Sequence, residues 1–235
     1  MQALRRSRPP FPRNLTLSLL NLIVQPDCAY IITDSGHYDV TRGGVVTRLG
    51  LKSMILEDQR LIVATAGELQ CKHLAPLLST LKNVGQDELV EMLPEIARAA
   101  VETFKIGMMS TVVFAGYSPA RGSAFGGAFL TAAHGGPSPF PERDYQILAR
   151  SALLLPPVPG MPLAPLSRPS AFNPYTNAMA IIEQQRRFDF SSPGLEVGCC
   201  ITGDIDLVGV RMEGFEIETL HTYPATIGEK VALTH

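Results

Sequence analysis

The apolar runs of this 235-residue chain come in adjacent pairs, and that pairing limits its possible folds more than any other feature. Residues 16–24 and 28–33 read as two strands joined at Gln25-Pro26-Asp27, and 45–49 as a short strand after the Gly43-Gly44 turn. A second pair, "KSMILE" (52–57) and "RLIVATAG" (60–67), is linked by Asp58-Gln59. Two helical patterns follow, at 68–81 and 87–105. In the second, Leu89, Leu93, Ile96, Ala100, Val101 and Phe104 recur near helical spacing behind Asp87, a suitable N-cap. Strands return at 109–117 and 122–132 and a helix at 175–187, and "LEVGCCIT", "DLVGVRM" and "FEIETLHTY" read as three closing strands. Strands clustered in this way exclude the alternation of a doubly wound fold. They predict an α+β domain in which helices pack outside antiparallel sheets.

One domain over 14–225 accounts for this order, with no internal repeat. Residues 1–13 are basic and Pro-rich and are predicted to be a disordered tail. A secretory signal is disfavoured because Thr16, Ser18 and Asn21 interrupt the apolar run that follows. Residues 226–235 read as a second short tail. Between 133 and 175 the chain is crowded with Pro and Gly, as in "PPVPGMPLAP", and only 145–155 looks capable of regular structure. A stretch of that length is expected to be an insertion serving function or an oligomer contact.

Charge and cysteine usage narrow the partners. The net charge is −2, and Arg5, Arg6, Arg8 and Arg13 stand among thirteen residues that hold no acid, so the remainder carries −6. That surface argues against nucleic acid and against a polybasic membrane face. No run is long and apolar enough to span a bilayer. Cys28, Cys71, Cys199 and Cys200 form no C-x-x-C pair, which points to buried thiols in a reducing, cytoplasmic setting. His37 and Asp39 in "SGHYD" are only two potential ligands, so neither a metal nor another cofactor is expected.

Several local motifs share one order. "YIITDSG" ends the first hairpin on an Asp and a small residue, and "KSMILEDQRLIVATAG" is a Lys-led hairpin ending in Ala-Gly before a helix. "STVVFAGY" follows the second helix, "RFDFSSPG" precedes the last strands, and "MEGFEIETL" closes the chain. Together, over most of 16–221 except 133–175, they resemble the proteasome β-subunit and its bacterial peptidase relative, members of the N-terminal-nucleophile (Ntn) hydrolase superfamily. The resemblance implies a four-layered αββα sandwich of two antiparallel sheets flanked by helices.

It also implies a chemistry. In that family a Thr, Ser or Cys at the start of the mature chain attacks an amide carbonyl, and its own α-amine acts as the base. The amine is suited to this because it titrates near neutral pH. Carried over to this chain, the nucleophile falls on Ser18, with Thr16 as its near neighbour. Asp34 matches the hairpin-end Asp, Lys52 the leading Lys, Asp189 and Ser192 the pair that supports the amine, and Gly67 the oxyanion and substrate region. This chain departs from the family in four ways: seventeen residues precede Ser18, Leu17 stands where self-cleavage uses Gly, there is no Thr-Thr-Thr opening, and 133–175 holds no match to the glycine-serine turn that supports the site. Two functions are therefore expected. The first is an amide or peptide hydrolase that needs trimming, and the second is an inactive or divergent member that acts in self-assembly or partner binding. The resemblance implies a homo-oligomer in either case.

Overall fold

The computed structural model describes residues 18–39, 42, 45–81, 83–136, 138, 140–187 and 201–230. Within them it is an α+β arrangement of antiparallel sheets and three helices. The first hairpin is β1 (Leu20–Val24) and β2 (Cys28–Asp34), followed by the ribbon β3 (Gly36–Asp39) and β4 (Val45–Leu49). Next are β5 (Ser53–Leu56) and β6 (Leu61–Ala66), then helices α1 (Cys71–Leu78) and α2 (Gln86–Phe104). The strands β7 (Thr111–Ser118), β8 (Ser123–Leu130), β9 (Leu148–Ala149) and β10 (Ala152–Leu155) precede α3 (Pro174–Arg186). The last elements are β11 (Gly203–Arg211) and β12 (Gly214–Tyr223). One five-stranded sheet has the order β10-β1-β2-β11-β12 and the other β5-β6-β7-β8-β9.

Three apolar clusters follow from strand alternation, which sends successive side chains to opposite faces. Leu20 and Leu22 of β1, Ile31 of β2, Ile62 and Ala64 of β6, and Val113 and Ala115 of β7 fill the space between the two sheets. The intervening residues point outward. Leu19, Ile23, Tyr30, Ile32 and Leu207 meet Ala178, Ile181 and Ile182 of α3. Leu61, Val63, Val112 and Phe114 meet Leu74 of α1 and Leu89, Leu93, Ala97 and Val101 of α2. Because β2 is buried along its whole length, it reads in sequence as a continuous apolar run. Each fully buried Leu or Ile contributes about 1.5–3 kcal/mol by leaving water.

The structure departs from the sequence reading in several local places. Helix α2 starts at Gln86 with Gly85 as N-cap, so Asp87 lies inside the first turn and pairs with Arg121 instead of capping. The start is fixed by the Gln86 amide, which donates to the carbonyls of Gln59, Arg60 and Tyr117 and ties the helix to both strand ends. Asp34-Ser35-Gly36 does more than end a strand, because the chain turns at Ser35 straight into β3. Ser35 N–H donates to Asp204 O, and Ser35 Oγ accepts from Asp204 N–H, both at 2.8 Å.

The Pro/Gly-rich stretch supplies an edge strand to each large sheet, β9 beside β8 and β10 beside β1. It is further anchored by Gln25, whose side chain donates to Leu166 O and Phe172 O. Of the three expected closing strands two are observed, and most of the first, 195–200, lies outside the described residues. Among the described residues, no helix is long and apolar enough to cross a membrane.

Candidate functional site

The end of β2 carries the most heavily buried ion pair among the described residues. Alternation along β2 places Asp34 on the face shared by Tyr30 and Ile32. Its side chain is fully buried. Lys52, 4% exposed, arrives from the other sheet just ahead of β5 and donates from Nζ to Asp34 Oδ1 at 2.6 Å. The same oxygen accepts Leu19 N–H at 2.9 Å, and Oδ2 accepts Thr202 N–H at 3.4 Å. Burial pushes the Asp34 carboxyl above its ordinary range, while Lys52 and the two backbone donors pull it back toward the charged form. One carboxylate thus holds the start of β1, the lead-in to β5 and the segment before β11.

Ser18 stands two residues ahead of the first residue of β1 and is buried, and its Oγ accepts from Tyr38 Oη–H at 3.3 Å. Ser18, Lys52 and Gly67 line one cavity of about 140 Å³ together with Tyr38, His37 and Glu68. Gly67 has φ +118°, and a Cβ there would stand 2.5 Å from Ser110 Oγ. That hydroxyl is already committed, since it accepts Leu69 N–H at 2.9 Å. Glycine is therefore required at this wall by both backbone conformation and space.

Two neighbouring groups are kept out of acid–base and nucleophilic chemistry. His37 is lowered to about 4, first by burial and then by the nearby Lys52 and Arg48 cations. Arg48 donates to its Nε2 at 3.1 Å, so at neutral pH the ring is an uncharged acceptor. Cys71 is buried and its thiol donates to Lys52 O at 3.1 Å. Desolvation pushes it up to about 11, which leaves too little thiolate for a nucleophile.

The structure therefore brings together Ser18, Asp34, Lys52 and Gly67, residues 15 to 49 positions apart in the chain. Thr16, Asp189 and Ser192 lie outside the described residues, as do Cys199 and Cys200. Sequence reasoning missed Tyr38 and His37 as cavity walls. "SGHYD" had attention only as a metal pattern, and among the described residues no group of three or more His, Cys, Asp or Glu could hold a metal. Burial along β3 switches residue by residue and carries Tyr38 inward, but four residues are too few for that period to show in the sequence. No protein-family model matches the chain and no curated protein matches its sequence.

Proposed function

We propose that this chain is a divergent N-terminal-nucleophile hydrolase that cleaves a peptide or small amide once residues 1–17 are removed. The observation that carries the reading is the fully buried Asp34–Lys52 pair opening on the same cavity as the Ser18 hydroxyl. A desolvated ion pair is a poor device for stability, because taking both charges out of water offsets most of their attraction. Placed beside a hydroxyl, it has a chemical use. With Ser18 as the first residue, its α-amine takes the Oγ proton, Oγ bonds to the amide carbon, and the Lys52 ammonium stabilises the developing alkoxide. The amine then returns the proton to the leaving nitrogen, and water releases the acyl group. Asp34 fixes Lys52 and, through Leu19 N–H, the backbone next to the nucleophile. Two antiparallel sheets with helices packed on both outer faces support reading the fold as the αββα sandwich. On this reading the protein is a cytoplasmic homo-oligomer.

Intact mass and N-terminal sequencing of the purified protein test the proposal, together with labelling by a peptide epoxyketone. The expected result is a chain beginning at Ser18 that gains one adduct, with the adduct and all amide turnover lost in Ser18→Ala. A chain that keeps residues 1–17 and is indifferent to Ser18→Ala overturns it. The specific observation favouring the non-catalytic reading is Leu17, where self-cleavage uses Gly. A protein that remains uncut would then act in assembly or partner binding, and its size in solution becomes the measurement to make.

A further inference from the structure

The hydroxyl of Ser18 is held by a side chain from a different strand, and several features of the fold place that side chain there. Tyr38 of β3 is buried and donates from Oη to Ser18 Oγ at 3.3 Å. The register of β3 on β4 shifts just before it: His37 faces Arg48 and Tyr38 faces Val46, so Thr47 is passed over. A bulge of this kind re-aims the neighbouring side chain, and bulges recur beside active sites. Thr47 is itself part of the cavity wall, and its Oγ1 donates to His37 O at 3.1 Å. Behind the ribbon, Val46 N–H donates to Glu229 O and Val46 O accepts Gly228 N–H, both at 2.8 Å. The residue opposite Tyr38 is therefore fixed on its far side as well. At the base of the ribbon Gly36 N–H donates to Thr202 O at 3.1 Å. Lys52 Nζ lies 5.5 Å from the Tyr38 ring centroid, within range of attraction to an aromatic face, which holds the ring from the side of the ion pair.

A buried phenol needs a partner in any case, but here the partner is the proposed nucleophile. By donating to Oγ, Tyr38 occupies one of its lone pairs and leaves the Ser18 proton free to point at the α-amine. At 3.3 Å the bond is longer than the about 2.7–2.8 Å usual between hydroxyls, so it holds the neutral hydroxyl weakly. A hydrogen bond to a charged oxygen is shorter and roughly twice as strong. The contact therefore gains most when Oγ carries negative charge, and an interaction that grows in this way raises turnover without tightening substrate binding. Oγ takes on that charge twice. In the first half it loses its proton to the amine as it bonds to the amide carbon. In the second, the amine takes a proton from the water that adds to the ester carbon and returns it to Oγ as the acyl–Oγ bond breaks. Tyr38 keeps its own proton throughout.

We infer that Tyr38 is a further catalytic residue, whose phenol stabilises the Ser18 oxygen while it is an alkoxide. The inference rests on the hydrolase reading above, and the two can fail separately. The assay compares the processed wild-type chain with Tyr38→Phe, which keeps the ring and removes only the hydroxyl. Turnover of a fluorogenic peptide amide gives kcat and KM, and epoxyketone labelling read by intact mass gives the rate of attack by Ser18 itself. Tyr38→Phe should lower kcat and the labelling rate by about 10–100-fold, the scale of one lost hydrogen bond to a charged oxygen, and leave KM within about twofold. A second variant separates chemistry from packing. A thiolate needs less stabilisation than an alkoxide, so in a Ser18→Cys background the loss of labelling rate caused by Tyr38→Phe should shrink to a few-fold. A wild type that labels and turns over, beside a Tyr38→Phe chain with kcat unchanged or with only KM raised, overturns the role of Tyr38 and leaves the hydrolase reading standing. A loss of the same size on serine and on cysteine also overturns it, since displaced packing would act on both. No labelling and no turnover in the wild type overturns both readings.

Discussion

The first hairpin carries two buried polar pairs near its open end, and the two are built in opposite ways. Near the middle of β1, Asn21 and Gln185 of α3 exchange two amide hydrogen bonds of 2.8 and 2.9 Å. Their remaining valences go to Leu155 N–H and Pro156 O, so this pair joins strand, helix and edge strand with neutral groups alone. At the end of β2, Asp34 and Lys52 join the two sheets with full charges and stand next to a cavity. Neutral amides that satisfy one another cost little to bury, whereas an ion pair carries a desolvation penalty of several kcal/mol per charge even after relaxation. If architecture were the only need, a second amide pair would serve. The molecule keeps charge at the end where a hydroxyl and a cavity can use it.

The largest way to break this contrast is Lys52→Met. It leaves the Asp34 carboxylate buried without its cation, and urea unfolding at neutral pH should show a loss of about 3–5 kcal/mol. Asp34→Asn combined with Lys52→Met should recover much of that stability and none of the proposed turnover. The sign with pH is fixed. A carboxyl whose folded pKa is raised favours the folded state at low pH and loses that contribution as pH rises through the folded value. Without Lys52 the rise is greater, so the Lys52→Met deficit should shrink as pH falls into the carboxylate range. A deficit that grows there would contradict the assignment.

Asn21→Ala is the matching cut at the neutral pair. It leaves both polar atoms of Gln185 short of a partner and Leu155 N–H without its acceptor. The expected loss in the same unfolding experiment is about 1–3 kcal/mol. It should be flat with pH and leave the Ser18 labelling rate unmoved, whereas Lys52→Met moves both.

His37 sharpens the contrast at smaller scale. Its ring is lowered from 6.5 to about 4 in the folded protein, so the unfolded chain takes up the proton first on acidification. Stability should therefore fall as pH drops from 6.5 toward 4, by about 1 kcal/mol once solvent access to the ring is allowed for. In His37→Asn that part of the slope should vanish, as read from urea midpoints at about pH 7 and about pH 4.5.

Much of this was legible in the chain itself. Paired apolar runs gave β1–β2 and β5–β6, and the 3.6-residue recurrence of Leu89, Leu93 and Ile96 gave α2. Asp34, Lys52, Ser18 and Gly67 were singled out by matching the motifs to the family they resemble and not by periodicity. Tyr38 and His37 could not be, because β3 is four residues long and its partner β4 is reached only across 40–44. The edge strands β9 and β10 both fall within 145–155, the part that looks capable of regular structure, but their type could not be read for a related reason. Two and four residues carry too little periodicity to read, and only their partners in the two sheets define them.

By itself the sequence determined which segments alternate, which face of each is apolar, and where charge interrupts an apolar run. These are local properties, fixed by the spacing of residues along one strand or one helix turn. Only the tertiary structure decided that Lys52 from one sheet stands 2.6 Å from Asp34 of the other, and that Tyr38 and His37 join Ser18, Lys52 and Gly67 around one cavity. Pairing across a sheet interface depends on how two apolar faces pack. That packing is set by the whole core and not by any one stretch of it.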